Sequence, residues 1–299
     1  MERIEILHTD TLYTHRPLAE QFRELAERLG IALGWHYLLD FAWAASKIDL
    51  ARPITVMDAG AASGLMQWWL AEAGVKVISV DRTSRAALPW KLRNRYHVVG
   101  MRPEDLLTDS PAQSIRGFLP SRYPQRWKTY PAKLRATLDS LCAHRQRDQR
   151  GIVRIYNQDL RTMPDIEPDS VDAVVSISAL EHNPPDELKA CVSELMRVLK
   201  PGGTLVATLA AARNNDWYHE PSKGWCYTEA TLRDIFGLRP DSPSNYDHYD
   251  ELFTALRDCA ELRDNLADFY FRSGNNGMPW GVWDPKYQPV GVLRVKRKE

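Results

Sequence analysis

The chain has 299 residues, of which 44% are apolar and 26% charged, a composition typical of a soluble globular protein and not of a disordered one. Its 39 basic residues balance 39 acidic ones, so no global charge attracts nucleic acid or an anionic membrane. No apolar run approaches the ~20 residues that span a bilayer. The N-terminus shows no secretory signal and the four cysteines lack C-x-x-C spacing, so we expect a cytoplasmic protein with reduced thiols.

The first 52 residues are predicted to form an N-terminal helical extension. Pro17 opens the segment 17–30, in which Leu18, Phe22, Leu25 and Leu29 recur at helical spacing. A second helix is expected over about residues 35–50. This extension precedes the first buried strand.

A βαβ unit follows. The apolar run 54–57 reads as a buried strand that ends at Asp58, and residues 59–64 form a turn of small side chains. Residues 65–73 read as a helix, and 75–80 as a second strand that ends at Asp81. Strand, turn, helix and strand within about 30 residues predict parallel pairing.

The same alternation resumes after residue 150 and predicts a Rossmann-like, doubly wound α/β sheet. The core of this fold would comprise residues 53–84 and 151–299. Strand-like runs and one amphipathic helix carry the pattern: strands 152–156, 171–177 and 204–209, and helix 185–199. Residues 269–272 and 290–295 are expected to pair as antiparallel strands at one edge.

Residues 85–150 interrupt the alternation and predict an inserted cap. They contain 14 Lys and Arg against five Asp and Glu, so the segment carries a net +9 and the rest of the chain −9. A crossover between parallel strands needs only ~30 residues. Three interpretations remain: a solvated helical face, a surface for an anionic substrate, or a nucleic-acid surface, which no recognised RNA- or DNA-binding motif supports.

The turn between the first two core strands has the chemistry of a nucleotide site. Gly60 and Gly64 permit a tight turn and a close approach of backbone to a ligand. The helix that follows offers free N–H groups at its start. Asp81 ends the next strand, where a carboxylate can accept both hydroxyls of a ribose.

The segment Asp58–Gly64 resembles the first motif of the class I S-adenosylmethionine-dependent methyltransferases, (D/E)-x-G-x-G-x-G, with Ala62 in place of the middle glycine. Residues 157–164, 170–182 and 197–205 are similar to the family's third-, fourth- and fifth-strand segments. Together they resemble the ubiquinone-biosynthesis-type subgroup. The resemblance covers roughly residues 54–84 and 152–210.

The resemblance implies a seven-stranded sheet, S-adenosylmethionine as cofactor and a small-molecule acceptor. Asp159 would face the adenine amino group, although an Asp in this position also suits a plain turn. The resemblance places these residues at the cofactor: Asp58, Gly60, Ala62, Gly64, Asp81, Arg82, Asp159, Leu160 and Ser176.

Two histidines are candidate general bases, because the imidazole pKa lies near neutrality. His182 belongs to the Leu-Glu-His motif after the fourth core strand, beside Glu181, which equally suits a local backbone contact. His219 lies in the polar and aromatic segment 214–221, which is equally interpreted as an ordered surface loop. No pattern of metal ligands accompanies them.

Four functions are weighed. The preferred one is methyl transfer from S-adenosylmethionine to a polar, sugar-like or anionic metabolite. An NAD-dependent oxidoreductase is disfavoured by the absence of G-x-G-x-x-G. A non-catalytic nucleotide-binding protein and an RNA methyltransferase that uses the basic segment 85–150 remain as alternatives. The sequence leaves the acceptor atom and the oligomeric state open.

Overall fold

The computed structural model describes residues 2–107, 150–269, 278 and 282–298. Elements are numbered here in chain order within that part. The strands are β1 (Arg3–Ile6), β2 (Thr55–Ala59), β3 (Lys76–Val80), β4 (His97–Gly100), β5 (Ile152–Tyr156), β6 (Val171–Ile177), β7 (Leu199–Ala211), β8 (Trp217–His219), β9 (Gly224–Tyr227) and β10 (Gln288–Val295). The helices are α1 (Thr11–Thr14), α2 (Arg16–Leu29), α3 (Tyr37–Ala45), α4 (Met66–Glu72), α5 (Trp90–Arg95), α6 (Pro185–Val198), α7 (Glu229–Phe236), α8 (Tyr249–Arg257) and α9 (Ala260–Phe269).

All of these strands belong to one twisted sheet. Its order is β1-β10-β7-β6-β2-β3-β5-β4, and β9 joins the end of β7 while β8 pairs with β9. The strands from β7 to β4 are parallel, whereas β10 runs antiparallel to both β7 and β1. The predicted Rossmann-like, mostly parallel α/β fold is therefore confirmed.

Strand side chains alternate between two apolar layers, one on each face of the sheet. Val56 and Val175 pack with the N-terminal helices and α4, whereas their neighbours Met57 and Val174 pack with α6 and α7. This two-residue period follows from the pleat of a strand. Burial on both faces explains why the core strands read as continuous apolar runs.

Helix ends follow local sequence signals. Pro17 lies in the first turn of α2, and Gly30 ends that helix in the left-handed conformation. Thr228 caps α7 by accepting a hydrogen bond from the Thr231 N–H, and Gly237 ends it in the same way as Gly30. The predicted second N-terminal helix is shorter than the expected 35–50, because α3 covers Tyr37–Ala45.

The sheet departs from the expected seven strands. The described residues contribute ten strands. The four that were not predicted, β1, β4, β8 and β9, are short and carry no strong local pattern. The expected pairing of 269–272 with 290–295 is wrong. Phe269 ends α9, and both edges of β10 are occupied, one by β1 and the other by β7. Residues 270–272 lie outside the described residues.

The two predicted additions to the core both contribute to the sheet. The N-terminal segment 1–52 supplies β1 as well as α1, α2 and α3. In the predicted cap 85–150, α5 precedes β4, which pairs with β5, while residues 108–149 lie outside the described residues. Across the described ranges, no helix combines the length and apolarity needed to cross a bilayer.

Candidate functional site

A large cavity lies at the carboxyl ends of β2, β3, β5 and β6. Its volume is about 640 Å³. Parallel strands place the loops that follow them at the same edge of a sheet, which is where ligands bind in open α/β folds. The predicted residues Asp58, Gly60, Ala62, Gly64, Asp81, Arg82, Asp159 and Leu160 all line this cavity.

The glycine turn after β2 is bent sharply toward β3. The backbone N–H groups of Gly60 and Ala61 both donate to the Val80 carbonyl oxygen, at 2.9 and 3.1 Å. Gly60 has φ +76°, and a Cβ there would lie 2.3 Å from Cβ of Ala179. Both the backbone conformation and the contact therefore require glycine at this position.

Ala62 replaces the glycine that the family motif has at the middle of this turn, and the structure accommodates it. Its φ is 40°, in the left-handed region that costs an alanine roughly 1–2 kcal/mol. The Ala62 N–H donates to Asp81 Oδ2 at 2.8 Å. The fully buried Gln67 side chain also holds the turn, because its amide donates to the carbonyl oxygens of Ala61, Ala62 and Gly64. No local sequence pattern pointed to Gln67.

Asp81 bridges the two loops at the cavity edge. The carboxylate is nearly buried, with Oδ2 accepting from Ala62 and Oδ1 accepting from the Thr83 N–H at 2.6 Å. A carboxylate has about four lone-pair sites, so each oxygen retains capacity for a second donor. The side chain is therefore fixed in place and still able to accept two hydroxyl groups.

Asp58 is buried behind the turn. Burial raises its pKa to about 7, the Asp81 charge adds to that rise, and the nearby Arg85 guanidinium opposes it. Arg85 is itself buried and donates to the carbonyl oxygens of Ser79 and Tyr156, at 2.9 and 2.7 Å. It thereby joins the ends of β3 and β5 under the cavity, a role that its place in the basic segment did not indicate.

The remaining predicted cofactor residues occupy different environments. Asp159 lies at the cavity wall, where its carboxylate pairs with Arg161 at 2.7 Å, and the hydrogen bonds from Arg161 lower the pKa of that carboxyl. Leu160 forms part of the apolar wall of the cavity, and the exposed Arg82 lies at its rim. Ser176 does not line the cavity: it is fully buried and donates to the Ala59 carbonyl oxygen, which ties β6 to β2.

A smaller cavity, of about 200 Å³, adjoins the larger one. Tyr37, Ser178 and His182 line both cavities. The other wall residues of the smaller cavity include the aromatic side chains of Trp35 and Tyr287. The two spaces therefore meet at the carboxyl end of β6.

His36 and Asp40 form a buried pair at the smaller cavity. His36 Nδ1 lies 2.6 Å from Asp40 Oδ2, and the Ser178 hydroxyl donates to the same oxygen at 3.1 Å. Because the Asp40 carboxylate takes Nδ1, the His36 ring, which lines the cavity, keeps Nε2 for another partner. Ser178 has φ 45°, a strained conformation of the kind that clusters at functional sites.

The sequence missed this pair. Its only local signal is a His and an Asp four residues apart, on one face of the start of α3. The contact to Ser178 joins positions 138 apart in the chain. Only the packing of α3 against the end of β6 brings these side chains together.

The two histidines predicted as bases are placed differently. His182 is exposed, lines both cavities and has Nδ1 2.8 Å from the Lys223 carbonyl oxygen. His219 is buried outside the walls of both cavities, with Nδ1 2.7 Å from the Ser222 hydroxyl, and burial lowers its pKa. The structure thus brings His182 to the junction and leaves His219 behind the wall residues Ser222 and Tyr287.

Glu181 lines the smaller cavity with an unsatisfied oxygen. The residue is 7% exposed, and its Oε2 has no hydrogen-bond partner. Burial raises the pKa of the carboxyl. Within the described ranges it forms no ion pair with Lys or Arg.

The described part of the basic segment is engaged inside the protein. Arg95 and Arg150 both pair with Glu72, at 2.6 and 2.9 Å, and Arg85 donates to backbone carbonyls as above. Arg102 contacts Asp165 at the surface. The other basic residues between 108 and 149 lie outside the described residues.

A family model described as a methyltransferase domain matches residues 127–207. No curated protein matches the chain. Among solved structures, phosphoethanolamine N-methyltransferase 2 of Haemonchus contortus, in complex with phosphomonomethylethanolamine and S-adenosylhomocysteine, aligns over 97% of this chain with 14% identity and a TM-score of 0.52. This chain spans 60% of that protein's length. The (4+2)-cyclase SpnF aligns over 100% of both chains, with 15% identity and a TM-score of 0.47.

The matched stretch contains β5, β6, α6 and most of β7. The larger cavity fits S-adenosylmethionine, the cofactor that the motif resemblance implies. Its volume lies within the ~300–1,000 Å³ usual for small-molecule sites. Asp81 has spare acceptor capacity at its edge. Asp58, Asp81 and Asp159 also line it, together with the basic residues Arg82 and Lys91.

Proposed function

We propose that the protein is an S-adenosylmethionine-dependent methyltransferase that acts on a small molecule whose reacting group enters the smaller cavity. The observation that carries the proposal is the junction of the two cavities at Tyr37, Ser178 and His182. A cofactor in the larger cavity and an acceptor in the smaller one would meet there. Such an arrangement aligns the two reactants and excludes water, which is most of what methyl transfer requires of a protein.

The chain's own residues have distinct roles in this proposal. Bound S-adenosylmethionine supplies an activated methyl group. Asp81 would accept the ribose hydroxyls, the turn at Gly60 would lie against the nucleoside, and Asp159 would face the adenine. Leu160 would form an apolar contact beside the base. These assignments rest on the positions of the four residues around one cavity.

A proton must leave an acceptor hydroxyl or amine, and two histidines line the smaller cavity. We propose His36 as the base, because Asp40 fixes its ring through Nδ1 and leaves Nε2 for a second partner. His182 is the second candidate because it stands at the junction itself. His219, which lies behind the wall, would act through Ser222 if at all.

A small acceptor is favoured over RNA. The described arginines of the basic segment are used in internal contacts, as with Arg95 and Arg150 at Glu72. Of the small molecules, polar or sugar-like ones suit the smaller cavity better than anionic ones, since no Lys or Arg appears on its described walls. The ubiquinone-biosynthesis-type subgroup is proposed on the motif residues 157–164 and 170–182 alone.

Calorimetric titration with S-adenosylhomocysteine and with NAD tests the cofactor, and radiolabelled S-adenosylmethionine incubated with a small-molecule cell extract tests the activity. We expect S-adenosylhomocysteine to bind, NAD not to bind, and label to enter a low-molecular-mass product. Binding of NAD alone would refute the cofactor site. Label confined to RNA, or no transfer at all, would refute small-molecule methylation.

A further inference from the structure

We infer that the smaller cavity recognises an amino group, with Glu181 as its hydrogen-bond acceptor, so that the acceptor is an amine and the methyl group goes to nitrogen. This inference rests on the proposed function, because it needs the smaller cavity to be the acceptor's site. It goes further by naming the chemical class of the acceptor and the residue that selects it.

The first observation is the unsatisfied carboxylate. Glu181 is 93% buried, lines the cavity, and has an Oε2 without a partner. Buried polar groups in native proteins nearly always have hydrogen bonds, and each exception calls for an explanation such as a missing ligand. A buried carboxylate needs donors or an opposite charge, since leaving it isolated is expensive. A ligand N–H would supply both.

The second observation is the charge around the cavity. The described wall contains no Lys or Arg, and its only other titratable groups are His36, His182 and two tyrosines. Asp40, directly behind the wall, already receives His36 Nδ1 and the Ser178 hydroxyl. The protein therefore places two carboxyl groups near this space without a permanent cation, which is complementary to a positively charged guest.

The third observation is the aromatic lining. Trp35, Tyr37 and Tyr287 surround the cavity, and the rings of Trp35 and Tyr287 lie 5.3 Å apart. Aromatic faces attract ammonium groups by cation–π interaction, most strongly where water is excluded. Glu181 lines the same cavity as these three rings. A carboxylate within an aromatic enclosure suits an amine better than a sugar hydroxyl.

Glu181 is also held in position. A Cβ on Gly224 would lie 3.2 Å from Cγ of Glu181, so the β9 backbone packs directly against the side chain.

The smaller cavity has a volume of about 200 Å³, which is the volume that roughly seven water molecules occupy in the liquid. The cavity therefore takes the amine-bearing end of an acceptor and leaves the remainder to the larger opening.

The chemistry balances without a further reactant. An ammonium group that binds here first gives one proton to His36 Nε2 or to Glu181. The nitrogen lone pair then forms the N–C bond to the methyl carbon, and the electrons of the C–S bond pass to sulfur. The products are S-adenosylhomocysteine and an N-methylated ammonium group, with one proton released to solvent from the base.

Three matched pairs of probes test the inference: benzylamine and benzyl alcohol, ethanolamine and ethylene glycol, and glucosamine and glucose. Each pair keeps its shape nearly constant and exchanges an amine for a hydroxyl. Binding to the full-length protein saturated with S-adenosylhomocysteine is measured by calorimetry, for the unaltered chain and for Glu181→Gln and Glu181→Asp. Glu251→Gln is the control, because that side chain is 80% exposed and pairs only with His248.

We expect the amine of at least one pair to bind at least about tenfold more tightly than its alcohol, since a hydrogen bond to a charged group is worth more than one power of ten. Glu181→Gln, which keeps the shape and removes the charge, should reduce that preference below about threefold. Glu181→Asp should retain part of it, and Glu251→Gln all of it. The affinity for S-adenosylhomocysteine should stay the same in all variants, which shows that they fold.

Equal binding of amine and alcohol in every pair, no binding of any amine, or an unaltered preference in Glu181→Gln would overturn the inference. Mass spectrometry and NMR of the product labelled in cell extract give an independent readout, because an N-methyl and an O-methyl carbon differ in chemical shift. An O-methylated product would overturn the assignment of an amine as the methyl acceptor but would leave the proposed function intact. Failure to bind S-adenosylhomocysteine would instead refute the proposed function itself.

Discussion

Replacement of Asp81 by alanine is the most direct test of where the cofactor lies. In the structure both carboxylate oxygens already accept a backbone N–H, from Ala62 and Thr83, and both retain a lone pair at the cavity edge. If those lone pairs accept the two ribose hydroxyls, the variant loses two hydrogen bonds to a charged group. At about 1.5–3 kcal/mol each, the loss is about 3–6 kcal/mol.

That loss corresponds to a weakening of S-adenosylhomocysteine binding by about 10²- to 10⁴-fold, at 1.4 kcal/mol for each power of ten. Calorimetric titration measures it. Asp81→Asn, which keeps one carbonyl oxygen as an acceptor, should fall between the unaltered chain and the alanine variant. Asp241→Ala is the control, because that side chain is 75% exposed and pairs with Arg239 away from the cavity.

Asp81→Ala also removes the acceptor of two backbone N–H groups, which tests whether the cavity edge keeps its shape. Urea unfolding measures this separately, and we expect a loss of about 0.5–1.5 kcal/mol in the free energy of unfolding for each lost hydrogen bond, because Ala62 and Thr83 are exposed and water can reach their N–H groups. A folded Asp81→Ala variant with a dissociation constant within about threefold of the unaltered chain would refute the reasoning. The nucleoside would then bind elsewhere.

Three further predictions concern the turn, the buried acid beneath it and the base. Gly60→Ala should lose more free energy of unfolding than Gly74→Ala. Both positions have positive φ, which costs alanine roughly 1–2 kcal/mol, but of the two only Gly60 has a close neighbour. Equal losses in urea unfolding would contradict the contact. Because the folded pKa of Asp58 is raised from 3.8 to about 7, its carboxyl stabilises the fold fully below pH 3.8 and this contribution is lost as the pH rises to about 7. Asp58→Asn should therefore flatten the pH dependence of unfolding, which at ~1.4 kcal/mol per pKa unit amounts to at most about 4 kcal/mol; an unchanged profile would show that the carboxyl is ionised in the fold. Asp40→Asn and His36→Gln should each lower kcat by roughly 10²–10⁴-fold with S-adenosylhomocysteine affinity unchanged, and a loss confined to His182→Gln would assign the base to His182 instead.

Local sequence determined the parallel core and most of the cofactor site. The short, mostly apolar segments 54–57 and 171–177 were predicted as strands, and small residues after the first of them marked the turn. Because parallel strands end at one edge, residues at strand ends, such as Asp81 and Asp159, were bound to share a cavity. These features depend on residues within a few positions of each other, so the local sequence pattern is enough to predict them.

Tertiary structure alone decided the sheet edge and the acceptor cavity. β1 is four residues long and becomes a strand only because β10 offers it a partner from the other end of the chain. In the sequence Arg85 is one of many basic residues, and only the structure shows that it is buried between the ends of β3 and β5. Likewise Glu181 and His36 line one cavity, with Asp40 behind His36, only because α3 packs against β6. The pairing of β1 with β10 and the hydrogen bond from Ser178 to Asp40 join positions more than a hundred residues apart, and Arg85 meets Tyr156 at a separation of 71. No local pattern records which distant partner a side chain will meet.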